Sequence, residues 1–262
     1  MVVPTPQNAQ DLPVRETADV PQTFSVLGMP VQLLDDYPQW LCDRAERGLG
    51  THVVTLNAEM TMQARSDRQL AQVLQRADLA IPDGSGIVFY LQLRGQTVRR
   101  TPGIELAESM VRAIARRGES VFFLGGAPGV ADRAVAYWRQ HCPELTVAGC
   151  QNGYLKPEDE AAIALTLQRL QPKLILVGMG VPRQEFWIDR HRHLCPQSIW
   201  IGVGGSFDIW AGLKVRAPRW IQRAHLEWAY RLYQEPWRWR RMLALPHFAW
   251  LAAVTALTEG RS

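Results

Sequence analysis

The chain has 262 residues, 47% hydrophobic and 21% charged, enough apolar material for one large domain with a buried core and too much for a disordered or fibrous chain. The formal net charge is only +4, yet the segment from Lys214 to Arg241 carries eight Lys and Arg residues against Glu227 and Glu235 alone. The rest of the chain is therefore slightly acidic, which excludes a general nucleic-acid-binding surface and leaves one local basic segment for an anionic partner.

Residues 1–22 are polar and proline-rich, without the basic-then-apolar pattern of a secretory signal, and are expected to be disordered. The apolar runs 24–27 and 31–34 flank Gly28-Met29-Pro30 and predict a small hairpin. A buried strand is expected over 52–56, then a helix over 58–77 broken near Ser66-Asp67, and a short strand over 79–82. A helix over 103–118 ends at Gly118; a strand over 120–126 enters a glycine turn and a helix reaching Gln140. A strand over 145–149, a helix over 157–170 with Pro157 in its first turn, and apolar strands over 173–180 and 198–205 complete the alternation. After Pro218 the pattern becomes a helical tail rich in Trp, Tyr and Arg. Its apolar run 242–257 is interrupted by Pro246 and His247 and falls short of the ~20 residues a spanning helix needs. Cys42, Cys142, Cys150 and Cys195 form no CxxC pair, which fits reduced thiols in a cytosolic protein.

Uniformly apolar strands alternating with helices predict an α/β fold: a Rossmann-like, mostly parallel sheet covered by helices on both faces. We expect this core over 23–217 and a C-terminal helical, membrane-proximal appendage over 218–262. Ligands in such sheets bind beyond the carboxyl ends of the strands. Five polar or glycine-rich loops converge there, beginning at Thr55, Asp83, Gly125, Gly178 and Gly202.

Each loop has a bland reading and a functional one. Gly125 and Gly126 open a helix, where backbone N–H groups and the helix dipole suit a phosphate; a tight packing turn would look the same. Gly178 and Gly180 let a backbone approach a nucleotide, with Gln184 in the first turn of the following helix. Thr55 and Asn57 could bind a ligand or merely cap a helix. Asp83, in Pro-Asp-Gly-Ser-Gly, is a turn aspartate or a pocket carboxylate. In a continuous helix, Arg231, Arg238 and Arg241 would share one face. His191 and His193 lack a third clustered ligand and read as surface residues rather than a metal site. No DxD motif follows a strand, so arginines rather than a divalent metal would neutralise a leaving phosphate. A complete GxGxxG in the first βα unit is also missing, which disfavours an NAD-dependent oxidoreductase. A non-catalytic nucleotide-sugar-binding protein docked on membranes would need no base at Asp83.

The stretches "TLNAEM", "ADLAIPDGSGIV", "RRTPGIEL", "FFLGGAPG", "GMGVPRQEFWI", "GVGGSFDIWAG", "RAPRW" and "LEWAYRLYQEPWRWRRM" together resemble the WecG/TagA/CpsF glycosyltransferases over about residues 24–245. The resemblance implies a bacterial enzyme of cell-surface polysaccharide or teichoic acid synthesis, with a Rossmann-like core and a helical appendage that helps complete the active site at the membrane. It implies inverting, metal-independent transfer of a sugar, N-acetylmannosamine or a related hexose derivative, without a cofactor. The donor would be a UDP-sugar and the acceptor an undecaprenyl-diphosphate-linked sugar, met from the cytoplasmic face of the plasma membrane. By motif, Asp83 corresponds to the catalytic base, Thr55, Asn57, Arg100 and Gln184 to pocket residues, and Arg231, Arg238 and Arg241 to appendage arginines that meet the diphosphate. Two positions depart from the pattern. Ala58 stands where the family often has Pro, and Thr101-Pro102-Gly103-Ile104-Glu105 where it often has Thr-Gly-x-Asp.

Overall fold

The computed structural model describes residues 21–259. The N-terminal segment expected to be disordered lies outside them, apart from Pro21 and Gln22, and Gln22 already opens a strand. β1 (Gln22–Val26) and β2 (Met29–Leu33) form the expected antiparallel hairpin. Its turn residues Leu27 and Gly28 both take positive φ, 50° and 90°, as a two-residue hairpin turn requires. α1 (Tyr37–Glu46) went unread in the sequence. Asp36 is its N-cap, accepting from the Gln39 N–H at 2.9 Å.

β3 (Thr51–Leu56) leads into α2 (Ala58–Ser66) and α3 (Arg68–Arg76). The break between the helices falls where expected, because the Asp67 side chain caps α3 by accepting from Leu70 N–H at 3.0 Å. β4 (Leu79–Pro82) follows, and then α4 (Ser85–Leu93), whose first residues the sequence reading placed in a glycine-rich loop and whose remainder it left unassigned. α5 (Gly103–Arg116), β5 (Ser120–Gly125), α6 (Val130–His141), β6 (Thr146–Gln151), α7 (Pro157–Leu170), β7 (Leu174–Gly178), α8 (Arg183–His191) and β8 (Ile199–Gly202) continue the alternation, and α9 (Ser206–Trp210) closes it.

The six strands β4-β3-β8-β7-β5-β6 pair in that order, all in parallel. Their side chains alternate between two apolar layers, as the period of two dictates. Val53 and Ile81 face the layer of α1, α5, α6 and α9, with Leu41, Met110, Trp138 and Trp210. Val54, Leu56 and Ala80 face the layer of α2, α3 and α4. Further along the same sheet, Phe122, Ile175 and Trp200 meet Ile163 and Leu167 of α7 and Trp187 and Ile188 of α8. Burial of both faces explains why the strands read as continuous apolar runs.

Beyond Pro218 the chain forms α10 (Arg219–Arg223), α11 (Glu227–Gln234), a 3-10 turn (Pro236–Arg238), α12 (Trp239–Met242) and α13 (Ala244–Glu259). Arg231, Arg238 and Arg241 therefore lie on three separate elements, and the common face that one continuous helix would give them does not form. Pro236 has no N–H to donate and disfavours helical backbone before it, so Glu235 sits at φ −130°, ψ 72° and ends α11. α13 returns to the core. Phe248 and Ala252 are buried in the second layer, and the Phe248 ring lies 6.4 Å from that of Tyr90. Among the described residues no helix is long and apolar enough to cross a membrane.

Phe248 is thus the apolar anchor of the appendage. Phe248→Ala should cost about 3 kcal/mol or more, the usual loss for a buried phenylalanine. Urea denaturation measures this, and limited proteolysis should show faster cleavage around α13; an unchanged urea midpoint would mean that α13 does not share the core's stability.

Candidate active site

The carboxyl ends of β3, β4 and β8 converge beneath a cavity of about 300 Å³ that the appendage covers. The walls meet at very short range. A Cβ on Gly84 would lie 2.9 Å from Asn57 Cβ, and one on Gly103 would lie 2.5 Å from Thr55 Cγ2. Thr55 is buried and donates its hydroxyl to the Gly202 carbonyl at 3.1 Å, tying β3 to β8. Asn57 is the N-cap of α2, its Oδ1 accepting from Met60 N–H at 2.9 Å. Both residues line the cavity as well, so capping and pocket lining coincide.

Asp83 follows β4 directly and keeps 26% of its side chain exposed. Its Oδ1 accepts from the Gly103 N–H at the start of α5, at 3.0 Å. Arg100 Nε donates to the Asp83 carbonyl at 2.5 Å, while Nη2 stays 4.0 Å from Oδ1. Desolvation pushes the Asp83 carboxyl above the usual range; Arg100, the Gly103 N–H and Arg231 pull it back, and Glu227 adds a smaller upward push.

Gln184 and Glu185 are both buried. Glu185 Oε2 pairs with His52 of β3 at 2.8 Å, and its Oε1 accepts from Gln184 Nε2 at 2.8 Å. Gln184 Oε1 accepts from Gly204 N–H at 3.0 Å, fixing the loop after β8. Gln184 lines the cavity, but both ends of its amide are engaged within the protein. The sequence offered one signal for the pair: a histidine inside the otherwise apolar run 52–56. His191 is buried too, stacked on Trp187 at 4.2 Å rather than exposed, whereas His193 is at the surface.

The appendage supplies half of the charged side chains that line the cavity. Arg231, Arg238 and Arg241 line the cavity from three separate elements, joined by Arg216 and Lys214. Glu59 of α2 holds Arg241 Nε at 2.5 Å and Arg238 Nη2 at 3.6 Å, and Glu235 holds Arg238 Nη1 at 3.0 Å. Glu227 of α11 pairs with Arg100 Nη1 and with Arg216 Nε, the latter at 3.3 Å. Arg231 has no ion-pair partner among the described residues. Sequence reasoning missed Glu59, Glu227 and Arg216 as parts of the site, because their partners lie far away in the chain.

The glycines divide. Gly180 lines the cavity; Gly125, Gly126 and Gly178 lie outside its lining, at the ends of β5 and β7. There they serve backbone packing: a Cβ on Gly125 would lie 2.4 Å from the Gly178 carbonyl, and Gly126 N–H donates to that same carbonyl at 2.9 Å. Among the described residues no group of three His, Cys, Asp or Glu side chains is placed to hold a metal ion.

The raised Asp83 pKa has a consequence for stability. The folded chain keeps this proton to higher pH than the unfolded chain does. The group's contribution is therefore most favourable below the unfolded value and is lost as pH rises through the folded one. Asp83→Asn should raise the melting temperature at neutral pH, and the advantage should vanish in acid. Thermal melts across pH check this; a difference that does not vary with pH would contradict it.

Residues 24–262 match the family described as "Glycosyl transferase WecG/TagA/CpsF family". Three relatives are each named N-acetylglucosaminyldiphosphoundecaprenol N-acetyl-beta-D-mannosaminyltransferase. One from Bacillus spizizenii is 36% identical over 78% of this chain and 79% of its own, and one from Bacillus subtilis 33% identical over 83% of each. A third, from Staphylococcus aureus, is 29% identical over 85% of this chain and 87% of its own. With a family match across nearly its whole length and relatives of this coverage, the chain belongs to the WecG/TagA/CpsF glycosyltransferase family.

Proposed function

We propose that this glycosyltransferase moves N-acetylmannosamine or a related hexose derivative from a UDP-sugar to an undecaprenyl-diphosphate-linked sugar, with inversion and without a metal, in bacterial cell-surface polysaccharide or teichoic acid synthesis. The relatives' names motivate the substrates. The observation that carries the mechanism is Asp83, a carboxylate with raised pKa on the floor of a cavity walled by guanidinium groups.

In this reading the Asp83 carboxylate takes the proton of the acceptor hydroxyl as that oxygen attacks the anomeric carbon. The bond from the anomeric carbon to the donor diphosphate breaks on the opposite face, and UDP leaves with the electron pair. Desolvation makes Asp83 a stronger base than a solvated carboxylate. Charge grows on the leaving diphosphate, and Arg231, free of carboxylate partners, is the cation best able to stabilise it. Arg238 and Arg241 join it once an anion competes with Glu59. Thr55, Asn57, Arg100 and Gln184 shape the sugar pocket, Gln184 by fixing the Gly204 loop. Gly180 admits the donor's nucleotide at the cavity edge, towards the β5 and β7 ends where Gly125, Gly126 and Gly178 lie. Residues 23–217 would form the catalytic core and 218–262 the membrane-proximal appendage.

The appendage also offers a docking surface for the cytoplasmic face of the membrane. Tyr233, Trp237 and Trp220 are 82%, 71% and 69% exposed, and Arg219, Arg223 and Arg240 lie at the surface of the same segment. Aromatic rings beside cations are the composition that binds an anionic interface.

Two measurements test these assignments. Asp83→Asn should reduce turnover by about 10²–10⁴-fold, the usual worth of a general base, while calorimetry finds UDP affinity retained; near-normal kcat would remove Asp83 from this role. Trp237→Ala combined with Tyr233→Ala should weaken flotation with anionic liposomes yet leave the fold intact. Equal flotation of variant and parent would place the membrane contact elsewhere.

A further inference from the structure

We infer that Glu227 is a positioning residue: from the appendage it draws the Arg100 guanidinium away from the Asp83 carboxylate and so keeps that carboxylate open to substrate. The inference rests on the reading of Asp83 as the base.

Arg100 is held from two sides. Its Nε donates to the Asp83 backbone carbonyl at 2.5 Å, and its Nη1 pairs with Glu227 of α11. The remaining nitrogen, Nη2, stands 4.0 Å from Asp83 Oδ1, beyond hydrogen-bond reach. A guanidinium is a planar fork that closes on a carboxylate bidentately when nothing prevents it. Arg100 has two carboxylates within reach, and Glu227, by holding Nη1, fixes the guanidinium with Nη2 short of a hydrogen bond to Asp83.

Glu227 is itself fixed. Its Oε1 accepts from Arg216 Nε at 3.3 Å, and Arg216 Nη2 donates to Glu105 Oε1 at 2.6 Å. Glu105 lies in the first turn of α5, the helix whose Gly103 N–H holds Asp83 Oδ1. The contacts therefore close a ring from Asp83 through Arg100, Glu227, Arg216 and α5 back to Asp83. Glu227 and Arg100 are only 15% and 18% exposed, so solvent screens their pairing less than it would a surface ion pair. The groups facing Asp83 from the elements around it are Arg100, the Gly103 N–H, Arg231 and Glu227. The two arginines and the N–H favour its charged form, and Glu227 alone opposes them, so removing the Glu227 charge weakens the base as well as crowding it.

The test is the pH dependence of kcat and kcat/KM for the full chain and its Glu227→Gln, Glu227→Asp and Asp83→Asn variants, with UDP-N-acetylmannosamine and a short-chain polyprenyl-diphosphate-linked acceptor. UDP affinity is measured alongside by calorimetry. Glu227→Gln should lower kcat about tenfold, a fraction of what a general base contributes. It should also move the acid limb of kcat/KM to lower pH, with UDP affinity unchanged, and Glu227→Asp should recover part of both. A parental profile in Glu227→Gln overturns the inference. So do equal losses in Glu227→Gln and Glu227→Asp with weakened UDP binding, which would mark Glu227 as a structural strut. If Asp83→Asn is inactive while Glu227→Gln behaves as the parent, only the role of Glu227 falls. If Asp83→Asn turns over normally, the base assignment fails and the role of Glu227 with it.

Discussion

At the carboxyl end of this sheet three glycines lie directly against neighbouring side chains, with no room for a Cβ, and the walls of the site depend on that. Gly84 lies against Asn57, Gly103 against Thr55, and Gly202 against the side chains of Gln184 and Glu185. Any Cβ at these three positions would fall within 3.0 Å of a neighbouring atom. The close approach lets the Gly103 N–H reach Asp83 and lets Thr55 bridge β3 to β8. Desolvation is the largest influence on the Asp83 carboxyl, opposed by Arg100, the Gly103 N–H and Arg231.

Charge is distributed to match. Core and appendage each line the cavity with two carboxylates and three cations: Glu59, Asp83, Arg100, Lys214 and Arg216 from the core, Glu227, Glu235, Arg231, Arg238 and Arg241 from the appendage. Almost all the cations are held by carboxylates, so the cavity wall is a lattice of partly buried ion pairs rather than a free positive field. In the proposed reading, a diphosphate would take over the contacts that Glu59 makes with Arg238 and Arg241.

Much of this architecture was legible in the chain itself. The β3–β8 core appeared as apolar runs because both sheet faces are covered, and the Asp67 break appeared because capping chemistry is local. α4 was hidden because Gly84-Ser85-Gly86 reads as a turn, although the chain turns there only to begin a helix. The appendage read correctly as helical, but its division at Pro236 into short helices went unread. Its arginines reach the same cavity by tertiary folding, which no period of 3.6 could reveal. The motif resemblance located Asp83, Thr55, Asn57, Arg100 and Gln184 in a common pocket. It carried no information on Glu59, Glu227 or the His52–Glu185 pair, whose meaning lies in contacts between residues distant in sequence.

The burial of Phe248 changes what kind of object the appendage is. A segment attached only at Pro218 would be a tail, with the conformational freedom of a chain end. Fixed again at Phe248, the same stretch is a closed loop, and Arg231, Arg238 and Arg241 all lie inside it. Closure entropy grows slowly with loop length, by roughly 0.6 kcal/mol for each doubling, so a loop this long remains affordable to the fold. The ordering of its cations is then largely complete before substrate arrives, and an incoming anion meets a surface already arranged rather than one it must organise.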